Sequence, residues 1–253
     1  MGNWMRVLLL LAVGACASSG AQDASNMAAA PVPAPPPEPP TYQDTLDRHG
    51  IDFRVPEEGR AILVNIPAYE LIAFEDGEPV IRSRVIVGTP RLQTPVMWTE
   101  VEAVRYRPAW APTPQMIQRG EYPPGYYAPP GPNNPFGLLV MLLDNNEHIH
   151  MHDTNNRSLF GRDQRALSHG CIRVERWDEL AAWILGVAPE VVHERVDRGY
   201  TYDQPVDDIP VYLGYFTAFP AADGELAAHP DIYGLGTQAR QPAPAPVSAE
   251  VGG

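Results

Sequence analysis

The sequence contains no lysine, and all 18 of its basic residues are arginines. The absence of lysine from these 253 residues excludes mechanisms that need a lysine amine, such as Schiff-base formation or a lysine general base. Acidic residues number 31 and give a formal net charge of −13. Binding to a phosphate backbone needs a cationic surface, so nucleic acid is excluded as a partner.

Cysteine is also scarce, since only Cys16 and Cys171 are present. Residues 1–16 combine Arg6, a short apolar run and small residues, a pattern typical of an export signal. The apolar run is far shorter than the roughly 20 residues that span a bilayer. Val13-Gly14-Ala15-Cys16 resembles a bacterial lipobox, which predicts a lipid on Cys16 and attachment to a membrane.

The alternative is ordinary cleavage after a small-x-small sequence at Ala15-Cys16-Ala17, which would release a soluble periplasmic protein. We favour the lipobox. Because the residue after the cysteine is Ala17 rather than aspartate, we expect the lipid to anchor the protein to the outer membrane, with the domain in the periplasm. If Cys16 carries lipid, Cys171 is an isolated thiol in an oxidising compartment and needs an explanation.

Two segments have little that could form a core. Residues 17–42 are rich in alanine and proline and predict a disordered tether with polyproline II character. Residues 236–253 predict a disordered tail. We therefore expect one monomeric globular domain over residues 43–235.

The domain itself is rich in strand-forming residues. Three strands are predicted in 61–88, with an Asp-Gly turn between the last two, and others in 96–108, 138–143, 148–153 and 209–220. This pattern predicts a mainly β fold, a sandwich or a barrel-like domain. Two helices are expected after Cys171, one ended by Gly186 and one beginning at Pro189.

One segment is unusually long and irregular. Residues 108–136 contain nine prolines, together with Trp110, Tyr122, Tyr126 and Tyr127. A loop of this length in a compact domain is usually functional or disordered. We interpret residues 109–136 as a lid over a site and call them the lid loop.

Residues 167–175, LSHGCIRVE, place Cys171 directly after a glycine and a histidine. A cysteine nucleophile needs a base or a lowered pKa, and a place for the oxyanion that its attack creates. Gly170 permits a tight turn, so the N–H groups of residues 170 and 171 are candidate oxyanion donors. Taken alone, the segment fits an inert buried cysteine equally well.

The histidine at 152 sharpens this interpretation. It is separated from Ser168 by 15 residues, giving H-x15-S-H-G-C followed by Ile172 and Arg173. This arrangement resembles the signature of the L,D-transpeptidase catalytic domain (YkuD type), in the branch with arginine two residues after the cysteine. The resemblance covers about residues 43–235 and includes the loops GTPRLQTPV and PPGPNNPFG. We expect no separate peptidoglycan-binding domain.

The resemblance implies a peptidoglycan L,D-transpeptidase with a sandwich or barrel-like fold. Cys171 would attack the diamino acid carbonyl of a tetrapeptide stem and release D-alanine, with His152 as general base. Ser168, His169 and Arg173 would contact substrate. An amine acceptor gives a 3→3 cross-link. Water would make the enzyme an L,D-carboxypeptidase, and a lipoprotein acceptor would make it an attachment or release enzyme.

Two other classes compete with this hypothesis. Histidines alternate at 148, 150 and 152, which on a strand would share one face, and with Asp153, His169 and Cys171 they offer zinc ligands. A zinc ion would compete with the nucleophile for Cys171, so we predict neither metal nor cofactor and take His148 and His150 as structural. A non-catalytic wall-binding lipoprotein is the third possibility, and the Cys-His pair argues against it.

Overall fold

The computed structural model describes residues 40–236. The predicted signal and its Cys16 lie outside the described residues, as do the tether up to residue 39 and the tail beyond Gly236. Within the described range, every helix is too short or too polar to cross a membrane.

The secondary structure contains most of the predicted strands and both predicted helices, together with shorter elements that the sequence did not indicate. The helices are α1 (Tyr42–Arg48), α2 (Pro114–Gln118), α3 (Trp177–Leu185) and α4 (Pro189–Asp197), with a 3-10 helix at Arg157–Gly161. The strands are β1 (Arg60–Asn65), β2 (Glu70–Glu75), β3 (Glu78–Gly88), β4 (Met97–Tyr106), β5 (Leu139–Leu143), β6 (Met151–His152), β7 (Ala166–Ser168), β8 (Ile172–Val174), β9 (Tyr202–Gly214), β10 (Ala218–Pro220) and β11 (Leu226–Ala228).

Nine of the strands form one mixed sheet in the order β2-β1-β9-β4-β5-β6-β8-β3-β7. Because β2 also pairs with β3, every strand of this sheet except β7 belongs to a closed ring. β1 runs parallel to β9, and β6 runs parallel to β8. The prediction of a mainly β, barrel-like domain is confirmed.

The apolar run of β1 explains why this strand is buried on both faces. Alternate side chains point to opposite sides, so Ile62 and Val64 pack inside the ring with Trp177. Leu63 packs on the other side, in a cluster with Phe74 that includes Leu46 of α1. Helix α1 therefore covers the outer face of this part of the sheet.

The two helices after Cys171 form as expected. Gly186 adopts the left-handed conformation, with φ of 62°, that ends α3, and Pro189 lies in the first turn of α4. Strand β9 begins at Tyr202, seven residues before the predicted start at 209. Its first half is polar and half exposed and contains Pro205, so it lacks the apolar signal on which the prediction relied.

The predicted strand over residues 148–153 is wrong for its first half, because only Met151 and His152 join the sheet. His148 has a φ of 56°, which interrupts an extended chain. The Asn145 side chain accepts the N–H groups of Glu147 and Ile149 and donates to the Ile149 carbonyl, closing a turn there. The three alternating histidines therefore do not share one strand face.

Candidate active site

A cavity of about 710 Å³ lies between the lid loop and the strands that carry the predicted motif. Trp110, Tyr122 and Phe136 of the lid loop form one wall. The opposite wall contains His148, His150, His152, Ser168, His169, Cys171 and Arg173. The structure thus brings the predicted nucleophile and base to one cavity, under the loop interpreted as a lid.

Cys171 lies in the turn between β7 and β8, half buried at the cavity wall. Its Sγ donates to the carbonyl of His148 at 3.6 Å, a long and weak contact. Burial raises the pKa of the thiol, while a backbone hydrogen bond at His150 and the charge of Arg173 oppose that shift. The resting form is therefore a neutral thiol, which needs a base or a local charge to react.

His152 is buried in β6, whose parallel pairing with β8 sets Met151 beside Ile172. Its Nδ1 hydrogen-bonds to the backbone carbonyl of Asp153, which fixes the proton on Nδ1 and leaves Nε2 as an acceptor. Burial, and secondly the charge of Arg173, lower its pKa to about 3. The imidazole is thus neutral at physiological pH, as a proton acceptor must be.

The ring of His152 is also held by packing. It lies against the ring of Phe136 at a centroid distance of 4.6 Å. Among the described residues, no hydrogen bond joins the imidazole to Cys171 Sγ, although both groups line the cavity. Catalytic hydrogen bonds are often long or poorly aligned in unliganded sites and shorten in the complex, so this arrangement is compatible with proton transfer when substrate is bound.

Asp153 supports the carbonyl that orients His152. Its carboxylate is buried, accepts the Leu138 N–H at 2.9 Å, and forms an ion pair with Arg157 at 3.0 Å. Gly137 packs directly on it: a Cβ at that position would lie 2.3 Å from Asp153 Oδ2. The segment after His152 is therefore anchored from several directions.

Ser168 and Gly170 build the turn that carries the thiol. Ser168 Oγ donates to the Cys171 carbonyl at 2.6 Å and accepts the Gly170 N–H at 3.1 Å. The Gly170 N–H, which the sequence analysis predicted as an oxyanion donor, donates to the Ser168 hydroxyl in this structure. The Cys171 N–H has no acceptor among the described residues and is the amide available to an oxyanion.

The lid loop reaches the motif through His169. Its Nε2 lies 2.7 Å from Glu121 Oε2, and the other oxygen of Glu121 pairs with Arg119 at 2.5 Å. His169 therefore binds the lid loop in this structure, although the sequence suggested contact with substrate. Glu121 itself gave no signal in the sequence, because its pairing with His169 joins two distant segments.

Arg173 follows the thiol on β8 and lines the same cavity. Its Nε is buried and has no hydrogen-bond partner. Burial lowers its pKa, and the charge effects on it come from Cys171 and Tyr122, with no carboxylate among them.

His150 has a structural contact, as expected. Its Nδ1 accepts the Leu143 N–H at 3.3 Å, in place of a backbone ladder bond at the end of β5. Burial lowers its pKa to about 4. Over residues 40–236, no group of three or more histidine, cysteine or acidic side chains is arranged to hold a metal ion.

Thr94 is a residue that the sequence analysis missed. Its Oγ1 donates to the Gly170 carbonyl at 2.7 Å and accepts the Gly88 N–H at 2.9 Å, and it is buried. It belongs to the loop GTPRLQTPV, but nothing in that stretch singled it out. The hydroxyl ties the end of β3 to the turn of Cys171.

Comparison with known proteins gives the family. A model of the YkuD family, the L,D-transpeptidase catalytic domain, matches residues 59–212, more than half of the chain. The chain belongs to the L,D-transpeptidase family. The matched range includes β1 to most of β9 and therefore every strand that borders the cavity.

Two similar proteins are also named as L,D-transpeptidases. A Haemophilus influenzae protein named "Putative L,D-transpeptidase" is 30% identical over 226 residues, covering 73% of this chain and 46% of that protein. "Probable L,D-transpeptidase YbiS" of Escherichia coli is 32% identical over 124 residues, 46% of this chain and 38% of its own. The chain thus spans less than half the length of these relatives. A solved L,D-transpeptidase from Mycobacterium smegmatis is 19% identical, with a TM-score of 0.38, covering 61% of this chain and 58% of that one.

Proposed function

We propose that this protein is a peptidoglycan L,D-transpeptidase in which Cys171 is the nucleophile and His152 the general base. One observation carries the proposal: an isolated thiol and a neutral, buried imidazole with a free Nε2 open on the same cavity. The carbonyl of Asp153 fixes the tautomer that a base needs. The family match supports the same chemistry.

In the first half of the reaction, Cys171 Sγ attacks the carbonyl carbon of the diamino acid in a tetrapeptide stem. His152 Nε2 accepts the thiol proton, and the N–H of Cys171 donates to the oxyanion. As the C–N bond to D-alanine breaks, the imidazolium returns the proton to the leaving amine. A thioester between Cys171 and the stem remains.

In the second half, the amine of another stem attacks the thioester. His152 takes a proton from this amine, the C–S bond breaks, and Cys171 leaves as a thiol after protonation. The product is a 3→3 cross-link, and water as acceptor would give the carboxypeptidase product. We further propose a periplasmic location, with a lipid on Cys16 as the anchor to the outer membrane.

The proposal is tested with purified protein and defined tetrapeptide muropeptides, with products separated and weighed by mass spectrometry. We expect D-alanine release and a cross-linked dimer from the wild type, and neither from Cys171→Ala or His152→Ala. His193→Ala is the matched histidine control, because His193 pairs with Asp178 away from the cavity. Full turnover by Cys171→Ala would refute the mechanism.

A further inference from the structure

Arg173 presents a positive charge to the cavity without a counter-ion. Among the described residues, no carboxylate forms an ion pair with it, and its Nε is buried with no partner. Glu147 also lines the cavity, but it is exposed to solvent. Glu121 is held by Arg119 and His169. The carboxylates nearest the site therefore leave the guanidinium unneutralised.

Such an arrangement is costly unless a ligand completes it. Arg173 is half buried, and its buried Nε loses its hydrogen bond to water without gaining another, which is unfavourable. Arginine is the side chain suited to holding a carboxylate through two parallel hydrogen bonds. The Cys171 thiol does not supply the missing charge at rest, because burial keeps it protonated. The anion has to come from the molecule that enters the cavity.

We propose that Arg173 binds a carboxylate of the donor stem peptide and so determines which stems are processed. The inference rests on the proposed function and adds the substrate group that the site recognises. In a tetrapeptide stem whose diamino acid is a diamino dicarboxylic acid, two carboxylates lie near the attacked carbonyl, one on the terminal D-alanine and one on the side chain of the diamino acid. Either would lie close to Arg173 when the carbonyl meets Cys171, since the two residues are separated only by Ile172.

The position of Arg173 also connects recognition to chemistry. Its charge lowers the pKa of His152 and opposes the raised pKa of Cys171. Once a carboxylate neutralises the guanidinium, both effects weaken, so the pKa of His152 rises and the pKa of the Cys171 thiol rises further. Binding of a carboxylate at Arg173 therefore makes His152 a stronger base and Cys171 a weaker acid.

The first experiment needs no variant. The wild-type protein is given four stems that differ only in amidation. One stem is not amidated, one is amidated at the D-alanine carboxylate, one at the diamino acid carboxylate, and one at both. We expect amidation of one of them to lower kcat/KM on the order of 10- to 100-fold, the range for a hydrogen-bonded charge pair. The stem that loses activity identifies the carboxylate. Equal kcat/KM on all four stems would overturn the inference while leaving the proposed function intact.

The second experiment uses Arg173→Gln and Arg173→Lys on the same stems, with Arg91→Gln as a control at an exposed arginine. We expect Arg173→Gln to lose the discrimination between acid and amide, Arg173→Lys to keep part of it, and the control to match the wild type. A merely structural role for Arg173 would lower activity on all stems alike and preserve the discrimination, which would contradict the inference.

Binding of the same stems to the Cys171→Ala protein, measured by calorimetry, separates the two proposals. Suppose that the unamidated stem binds more tightly than the amidated stem but that the wild type turns over neither. This result would support recognition by Arg173 and refute the transpeptidase activity. Equal binding of acid and amide would refute the inference whatever the activity.

Discussion

Glu121 of the lid loop and His169 beside the candidate nucleophile are hydrogen-bonded, with Oε2 and Nε2 2.7 Å apart. The two residues come from segments 48 positions apart in the sequence. Arg119 pairs with the other oxygen of the same carboxylate and so holds it in place. This contact joins the lid loop to the turn that carries the thiol.

We predict that Glu121→Gln loosens the lid loop without damaging the core. The substitution removes the charge that binds both Arg119 and His169, so KM should rise roughly 2- to 10-fold, the effect of an exposed charged hydrogen bond. Amide hydrogen exchange in residues 109–136 should become faster. Glu58→Gln, at an exposed position outside the cavity, is the control. Unchanged exchange in the loop would contradict this role.

The same contact should weaken in acid. Hydrogen bonds from Arg119 and then His169 hold the pKa of Glu121 below its usual 4.5. A lowered carboxyl pKa means that the interaction is complete above pH 4.5 and is lost as the pH falls through the lower value in the folded protein. Exchange in the lid loop should therefore speed up in that acid range in the wild type and show no such step in Glu121→Gln.

A second prediction concerns the reactivity of the thiol. We expect a carbapenem to form a covalent adduct, visible as a single mass shift in the intact protein and located on Cys171 by peptide mapping. His152→Ala should slow adduct formation, because burial raises the pKa of the thiol and an acceptor for its proton is then missing. An adduct of equal yield on Cys171→Ala would show that the modified residue lies elsewhere.

The strands of the barrel-like sheet were predictable from the sequence because their apolar residues repeat with a clear period. β1 to β5 lie where the pattern of β-forming residues put them. The pattern failed where polar groups take over backbone pairing, as when Asn145 closes a turn before β6. No period-based argument detects a side chain that replaces a ladder bond.

The candidate site was predictable only in part, for a related reason. Cys171 and His152 were found because they belong to one local motif with a fixed spacing. The contacts that organise them come from distant segments: Thr94 holds the Gly170 carbonyl, and Glu121 holds His169. The occupation of the Gly170 N–H by Ser168 depends on the orientation of one hydroxyl, which the sequence does not specify.

A third prediction follows from the buried histidines of the cavity. Burial lowers the pKa of His150 to about 4 and that of His152 to about 3, both below the ordinary 6.5. Above pH 6.5 both are neutral in the folded and unfolded states. Below pH 6.5 the two histidines bind protons in the unfolded chain but stay neutral in the folded protein. The free energy of unfolding therefore decreases as the pH is lowered, until the pH passes the pKa values of the folded protein.

The expected loss is at most about 1.4 kcal/mol per pH unit for each histidine. We would measure thermal unfolding between pH 6.5 and 5, a range in which ordinary carboxylates stay ionised. His150→Asn keeps an acceptor for the Leu143 N–H but removes one titrating group, so its stability should depend less steeply on pH. An unchanged slope would show that His150 titrates normally in the folded protein.

The last prediction compares three glycine-to-alanine substitutions that separate backbone strain from steric conflict. Gly161 has no atom within 4 Å of an added Cβ and a φ outside the left-handed region, so Gly161→Ala should leave stability nearly unchanged. Gly125 has a φ of +80° with open space around it. Gly125→Ala should therefore show the conformational cost alone, about 1–2 kcal/mol.

Gly137 combines a φ of +65° with the buried carboxylate of Asp153 in the path of a Cβ. Because that carboxylate is fixed by Leu138 and Arg157, Gly137→Ala should cost about 1–3 kcal/mol more than Gly125→Ala. It should also lower kcat, since movement of Asp153 displaces the carbonyl that orients His152. Chemical unfolding and D-alanine release measure the two effects. Equal stability of the Gly137 and Gly125 variants would mean that Asp153 moves freely, and the support of His152 described above would then be incorrect.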